Sequence, residues 1–306
     1  AVTDTPLPTA TPFGGGMGQI AFASDRTGIM QIWLVNADAK NPSPRQITNV
    51  KDGACQPAWS PDGMRLAYIS PCSQKQEDYP GANIYIIDIN RPDEPMQLTS
   101  SLEGDFDPAW SPDGKRIAYT SLVNQVPAIY VINLDTLTTQ KLSPTLKPDR
   151  QPAWSPSGTQ IIFVRKNVAG QIWRMSDVGD FQQQFSPIGP LNNQWPSWSA
   201  DGQVIFYSQS TFDVTTPWLV YRRYEDRNTA IETRIPANPR GEVGPFFQVR
   251  PSPDGLMFAY ESWPDGENHD IYIMNINGSN QQRLTTDPGM DFGAAWRPIK
   301  LDQPQP

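Results

Sequence analysis

Apolar residues along this chain come in short runs of strand length, cut by turns at regular intervals. One set reads Leu66-Ala-Tyr68, Ile117-Ala-Tyr119, Ile161-Ile-Phe163, Val204-Ile-Phe-Tyr207 and Met257-Phe-Ala-Tyr260. A second follows each of these: Ile84-Tyr-Ile-Ile87, Ile129-Tyr-Val-Ile132, Ile172-Trp-Arg-Met175, Trp218-Leu-Val-Tyr221 and Ile271-Tyr-Ile-Met274. Short closing runs come last, at Gln97-Leu-Thr99, Lys141-Leu-Ser143 and Arg283-Leu-Thr285. β-branched and aromatic runs bounded by turn residues predict antiparallel strands, four to a unit once the segment preceding each set is included.

That preceding segment is a repeated phrase. Trp59-Ser-Pro-Asp-Gly63, Trp110-Ser-Pro-Asp-Gly114, Trp154-Ser-Pro-Ser-Gly158 and Trp198-Ser-Ala-Asp-Gly202 are four copies. Pro251-Ser-Pro-Asp-Gly255 is a fifth without its Trp, and Trp296-Arg-Pro298 a truncated sixth. Within the phrase Pro presets φ, Asp bonds nearby backbone and Gly accepts φ > 0, so it predicts a tight turn between the first two strands. Asn277-Gly278 predicts a hairpin turn later in its unit, and Asn277-Gly-Ser279 also matches a glycosylation acceptor. The phrases start 51, 44, 44, 53 and 45 residues apart, a period of propeller blades. The first unit, Gln19-Ile-Ala-Phe22 to Gln46-Ile-Thr48, lacks a phrase before it, and the last phrase, Ala294-Ala-Trp296, has no strands after it. The spare strand of one end supplies the missing strand of the other. An all-β, six-bladed propeller of four-stranded antiparallel blades is expected, closed by the C-terminal strand joining the N-terminal blade, which removes open sheet edges.

Pro-Ala-Trp-Ser-Pro-Asp-Gly followed by Ile-Ala-Tyr and Ile-Tyr, with Phe22-Ala-Ser-Asp-Arg-Thr-Gly28 in the first unit, resembles the TolB-type (PD40, WD40-like) β-propeller family. The resemblance covers about residues 18–299. It implies the fold, and because the matching Trp and Asp-Gly positions are architectural it carries over no catalytic residue. The N-terminal α/β domain of the family's namesake is expected to be absent, so a Tol–Pal role is not carried over with the fold. Residues 1–17 are expected as a Pro-, Thr- and Gly-rich tail or linker, 18–299 as the propeller and 300–306 as a C-terminal tail.

Composition narrows the function class. A net charge of −8 and a pI near 4.7 disfavour nucleic acid and anionic membrane surfaces, which need basic patches. No apolar stretch approaches a membrane span, so direct membrane insertion is not expected. The chain begins at Ala1, which suggests processing or a trimmed chain, and the Thr/Pro-rich start has the composition of a stalk or linker. Cys55 and Cys72, one before the first strand of a blade and one after the second, are brought near each other by a hairpin turning at Pro61-Asp-Gly63. A disulfide between them is expected, which fits an exported, extracytoplasmic protein. Two Cys and one His cannot supply a zinc site.

Candidate chemistry is sparse. His269, the only histidine, reads as a solvated loop residue, and no Gly-x-Ser-x-Gly elbow presents a nucleophile. Gly14-Gly-Gly-Met-Gly18 lacks the strand and Lys of a phosphate loop and needs only flexibility. Five positions before each phrase stand Ala54, Asp105, Asp149, Asn193, Phe246 and Asp291, expected at the mouth of the central channel. Asp105, Asp149 and Asp291 could form a hydrated acidic rim or hold Ca²⁺ through oxygen ligands; otherwise no cofactor is expected. With Asn193 and the neighbouring aromatics Phe106, Trp195, Phe246, Phe247 and Phe292 they make a candidate partner-binding mouth, suited to a peptide or chain end. The expected function is a non-catalytic protein-interaction or structural module. It could self-assemble into a filament or surface array, with Leu7 and Phe13 of the tail anchoring on a neighbouring copy. The alternative is a carbohydrate-active enzyme using paired channel carboxylates.

Overall fold

Six blades of four strands surround a central channel in a computed structural model that describes residues 18–298, except 39, 144–146, 212–216, 225–231, 236–243 and 267. The first blade holds β1 (Gln19–Ser24), β2 (Gln31–Asn36) and β3 (Arg45–Gln46). The second holds β4 (Cys55–Trp59), β5 (Arg65–Ser70), β6 (Asn83–Asp88) and β7 (Arg91–Gln97). The third has β8 (Asp105–Trp110), β9 (Arg116–Ser121), β10 (Ala128–Asn133) and β11 (Thr139–Lys141). The fourth has β12 (Asp149–Trp154), β13 (Gln160–Lys166), β14 (Gly170–Ser176) and β15 (Gln183–Gln184). The fifth has β16 (Asn192–Trp198), β17 (Val204–Ser210), β18 (Trp218–Arg223) and β19 (Thr233–Arg234). The sixth has β20 (Phe247–Pro251), β21 (Met257–Ser262), β22 (Asp270–Asn275) and β23 (Gln282–Arg283). Last comes β24 (Asp291–Trp296), which pairs antiparallel with β1 and completes the first blade, with Trp296 opposite Ile20 and Asp291 opposite Ser24.

The repeated phrase joins one blade to the next. The indole N–H of Trp110 donates to the Ala58 carbonyl at 3.1 Å, Trp154 to Ala109 at 3.2 Å and Trp198 to Ala153 at 3.2 Å. Trp59 donates to Ala295 at 3.2 Å and Trp296 to Arg250 at 3.0 Å, so the same bond crosses both sides of the composite blade. Guanidinium groups lie over several of these rings: Arg65 over Trp110, Arg116 over Trp154 and Arg297 over Trp59. Only the junction at Pro251, where the phrase lost its Trp, does without an indole of its own. The turn itself is held by Ser60, whose Oγ accepts from Arg65 N–H at 2.9 Å, and Gly63 takes φ +66° as the turn requires.

The core lies between blades rather than inside any one of them. Ile20, Phe22 and Val35 of the first blade pack with Ala259, Ile271 and Ile273 of the sixth and with Trp296. A blade alone would therefore expose the apolar face that the next one covers.

The closing strands β7, β11 and β23 each end two residues earlier than expected. They end before the Leu-Thr or Leu-Ser pairs at 98–99, 142–143 and 284–285. There the hydroxyl oxygen takes over the ladder: Ile84 N–H donates to Thr99 Oγ1, Ile129 N–H to Ser143 Oγ and Ile271 N–H to Thr285 Oγ1, at 2.8–3.0 Å. The preceding leucines turn inward instead; Leu142 and Leu284 are buried. Among the described residues no helix is long and apolar enough to cross a membrane.

Candidate binding funnel and channel

Each inner strand carries a bulge three residues before its Trp position. The register breaks between Cys55 and Ala58, Phe106 and Ala109, Arg150 and Ala153, Gln194 and Ser197, and Phe247 and Arg250. At the bulge Gln56, Asp107, Gln151, Trp195 and Gln248 adopt φ between 49° and 55°, and Gly293 does so at 71°. Pro57, Pro108, Pro152 and Pro196 follow directly, placed where a missing N–H costs no ladder bond. The bulge turns these residues into the channel, where they form a belt.

Three links of the belt are closed. Asp107 N–H donates to Gln56 Oε1 (2.7 Å), and Gln56 Nε2 returns a bond to Asp107 Oδ1 (2.8 Å). Asp107 Oδ2 accepts from Thr120 Oγ1 (2.9 Å) and Gln151 N–H (3.1 Å), and Trp195 N–H donates to Gln151 Oε1 (2.7 Å). Burial nonetheless pushes the Asp107 carboxyl from its ordinary 3.8 up to about 6, outweighing the bonds from Thr120, Gln151 and Gln56 and the charge of Arg150. A folded-state pKa above the unfolded one favours the folded protein at low pH, and that advantage is lost as pH rises from about 4 to about 6. Asp107→Asn is therefore expected to gain up to about 3 kcal/mol relative to the parent on going from pH 4 to pH 7. Urea denaturation of both proteins at the two pH values measures it; a constant difference would contradict the assignment.

The two ends of the channel are unlike. On the side where β5 ends, residues 71–82 form a strap across the mouth. Its Cys72 is bonded to Cys55 with Cα atoms 5.9 Å apart, and Tyr79 is buried against Phe106. Lys75 ion-pairs with Glu261 of the sixth blade and lies over the Phe247 ring at 4.6 Å. Asp78 receives a two-point bond from Arg150, at 2.8 Å on each oxygen, and Glu77 pairs with Lys166. One loop of the second blade thus touches the third, fourth and sixth, which requires it to span the opening. His269, expected in solvent, instead bonds Glu261 through Nδ1 and stacks on Trp263 at 4.2 Å.

The residues five positions before each phrase lie beneath this closed side. Asp149 takes a two-point bond from Arg165 at 2.7 and 2.8 Å, and both oxygens of Asp291 accept from Arg26 Nη2 at 3.0 and 2.9 Å; both carboxylates are wholly buried. Asp105 is buried near the Ser121 and Thr99 hydroxyls, and burial raises its carboxyl. Asn193 accepts from Gln209 and Phe246 packs on Tyr260. Ala54, Phe106 and Phe292 are core residues; only Trp195 and Phe247, edge to face at 6.2 Å, stay partly exposed. The structure thus buries the carboxylates within and between blades rather than bringing them together around a mouth. Among the described residues no three His, Cys, Asp or Glu come together as a metal site. Leu7 and Phe13 lie outside the described residues.

The other end opens as a funnel of about 490 Å³ whose wall is the ring of phrases. Trp110, Trp154, Trp198 and Trp296 alternate around it with prolines such as Pro112 and Pro156, over a floor of Ala58, Ala109 and Ala153. Below the floor a cavity of about 60 Å³ reaches the belt. This surface presents prolines, alanines and the edges of largely buried indoles with few charges, the character of the centre of a protein interface.

Residues 43–221 match the family described as the TolB beta propeller domain, PD40. The chain belongs to that family. Among curated relatives, the Tol-Pal system protein TolB of Bordetella pertussis is 28% identical over 155 residues, 38% of this chain and 35% of its own length. The match thus spans about a third of that relative. The crystal structure of TolB from Acinetobacter baumannii superposes with a TM-score of 0.75 at 23% identity, covering 93% of this chain and 69% of that one. An oligogalacturonate lyase solved with manganese shares the fold more distantly, with a TM-score of 0.59 at 13% identity over 87% of this chain and 73% of its own.

Proposed function

We propose that this PD40 propeller is a non-catalytic binding module that works outside the cytoplasm and takes a partner protein on its open funnel. The observation that carries the reading is the contrast between the two faces. One mouth is strapped shut by a disulfide-anchored loop, while the other is open and lined by prolines and the edges of otherwise buried Trp rings, above a cavity that Gln56, Asp107, Gln151, Gln248 and Arg250 help to line. Kinship with proteins named for the Tol-Pal system supports a partner that is itself a protein. The Cys55–Cys72 bond supports an oxidising compartment.

Filling the funnel tests this. Ala109→Trp or Ala153→Trp adds a large ring where the floor is lined by alanine, and a change on the strapped face, Val168→Trp at an exposed position, serves as control. Proteins cross-linked to the parent in native extract are expected to be lost from the filled variants and retained by the control. Equal capture by all three would end the reading. Purified protein is expected to show background rates on ester, peptide and polysaccharide substrates. A turnover abolished by Asp107→Asn, the channel carboxylate, would favour an enzyme instead.

A further inference from the structure

The belt is incomplete on one side, and the gap holds a cation. The residue before the Trp position is Ala58, Ala109, Ala153, Ser197 or Ala295 in five blades, but Arg250 in the sixth. Its guanidinium lines both the funnel and the cavity beneath it. Nη1 donates to the Pro196 carbonyl at 3.1 Å, and the group lies 5.9 Å from the Trp195 ring. Among the described residues Arg250 makes no ion pair. Asp107, the channel's carboxylate, is already committed to Gln56, Thr120 and Gln151. Its charge therefore acts on Arg250 only without direct contact, and a guanidinium that lacks a contact anion inside a narrow channel is costly to bury.

The neighbouring link is open as well. Gln248 occupies the belt position where Gln56 and Gln151 bond the next blade, yet its Oε1 is buried without a hydrogen-bond partner. The next belt position is Gly293, which brings no side chain; a Cβ built there would stand 3.7 Å from Gln248 Oε1, in ordinary contact. Gln248 is 4% exposed, so the amide faces the cavity and not bulk solvent. The cavity therefore offers cationic N–H donors on one residue and an empty acceptor two positions earlier on the same strand. About 60 Å³ is room for a small polar group with water, not for two strands of a loop.

We infer that Arg250 and Gln248 form a subsite at the funnel floor for the C-terminal end of a partner chain. Arg250 takes the terminal carboxylate, and Gln248 Oε1 accepts the amide N–H of that last residue. Charge complementarity names the carboxylate. The orphan acceptor selects a chain end over an Asp or Glu side chain, because a terminal residue carries its own N–H two bonds from its carboxylate and a side chain does not. The strap leaves the funnel as the way in, and a chain end is what a narrow floor admits. The inference rests on the funnel being the binding face and adds which chemistry it selects.

The test uses three probes with the full chain: acetyl-Ala-Pro-Pro-Ala as the free acid, the same peptide as its C-terminal amide, and acetyl-Ala-Pro-Pro-Glu amide. Calorimetry is expected to show the free acid binding about tenfold more tightly than its amide. Arg250→Gln should remove that preference, and Arg250→Lys should restore part of it. The Arg250 Nε–H resonance of the parent protein should move with the free acid and not with the amide, a readout that needs no variant to fold. Equal binding of acid and amide, or a preference that survives Arg250→Gln, overturns the subsite. Tighter binding of the Glu amide than of the free acid overturns the chain-end assignment in favour of a side-chain carboxylate. If none of the peptides binds at millimolar concentration, the subsite falls, while the funnel as a protein-binding face is still judged by the filling experiment.

Discussion

Removal of residues 290–306 is expected to abolish cooperative folding or lower the melting temperature severely. The deletion takes away β24, whose Asp291, Phe292, Ala294 and Trp296 are all buried. Truncating one buried Phe or Trp costs about 3–5 kcal/mol, so losing both already approaches the whole stability of a typical domain, about 5–15 kcal/mol. The loss also removes the Trp296 bond to Arg250 O and the Arg26 ion pair with Asp291, and leaves β1 as an open edge. Differential scanning calorimetry of the truncated and full chains checks it. A truncated protein that melted like the parent would show that β24 does not close the ring.

The second large effect concerns the Cys55–Cys72 bond. Thiol titration of the denatured, unreduced protein is expected to find no free thiol, and the Cys55→Ser, Cys72→Ser protein should be about 3 kcal/mol less stable in urea. The bond closes a loop of separation 17 and fixes the root of the strap. The fit there is close: Gly53 has φ +82°, and a Cβ on it would lie 2.0 Å from the Cys72 carbonyl oxygen. Gly53→Ala should therefore destabilise the same corner with the disulfide intact. Two free thiols in the native protein would remove the bond and with it the argument for an oxidising compartment.

The repeated phrase made the fold legible because it recurs wherever one physical task recurs, the stapling of neighbouring inner strands through an indole N–H. Complementary defects at the two ends identified the composite blade for a similar reason: sheet edges have to be paired. The site was legible only in outline. Counting back five residues assumes an unbroken strand, and the bulge between the counted position and Trp turns that residue into its blade. The sequence signal was proline, at 57, 108, 152 and 196, inside what otherwise reads as a central strand. The strap had a signal too. The step from Trp59 to Trp110 is 51 residues against 44 for each of the next two, and the excess goes into the connection that crosses the channel. No spacing rule announces that Lys75 meets Glu261 across the ring, since that pair depends on the closed circle. Arg250 stood in plain view as the one charged residue in a column of Ala and Ser, yet its meaning came only with the cavity it lines.

The seam that closes the ring also decides how the molecule can be held. Arg297 N–H donates to the Gln19 carbonyl at 2.8 Å, and Arg297 Nε to the Gly63 carbonyl of a phrase turn at 2.8 Å. The backbone thus passes out of the described ring at Gly18 and Pro298 side by side, on the rim of the funnel. An affinity tag, a fluorophore or a surface linker joined directly before Gly18 or directly after Pro298 stands next to the open face, and a chip coupled through such a tag holds that face toward the matrix. Coupling through a cysteine introduced at exposed Val168, on the strapped side, points the funnel outward, so the two attachments should differ in apparent affinity for the same partner.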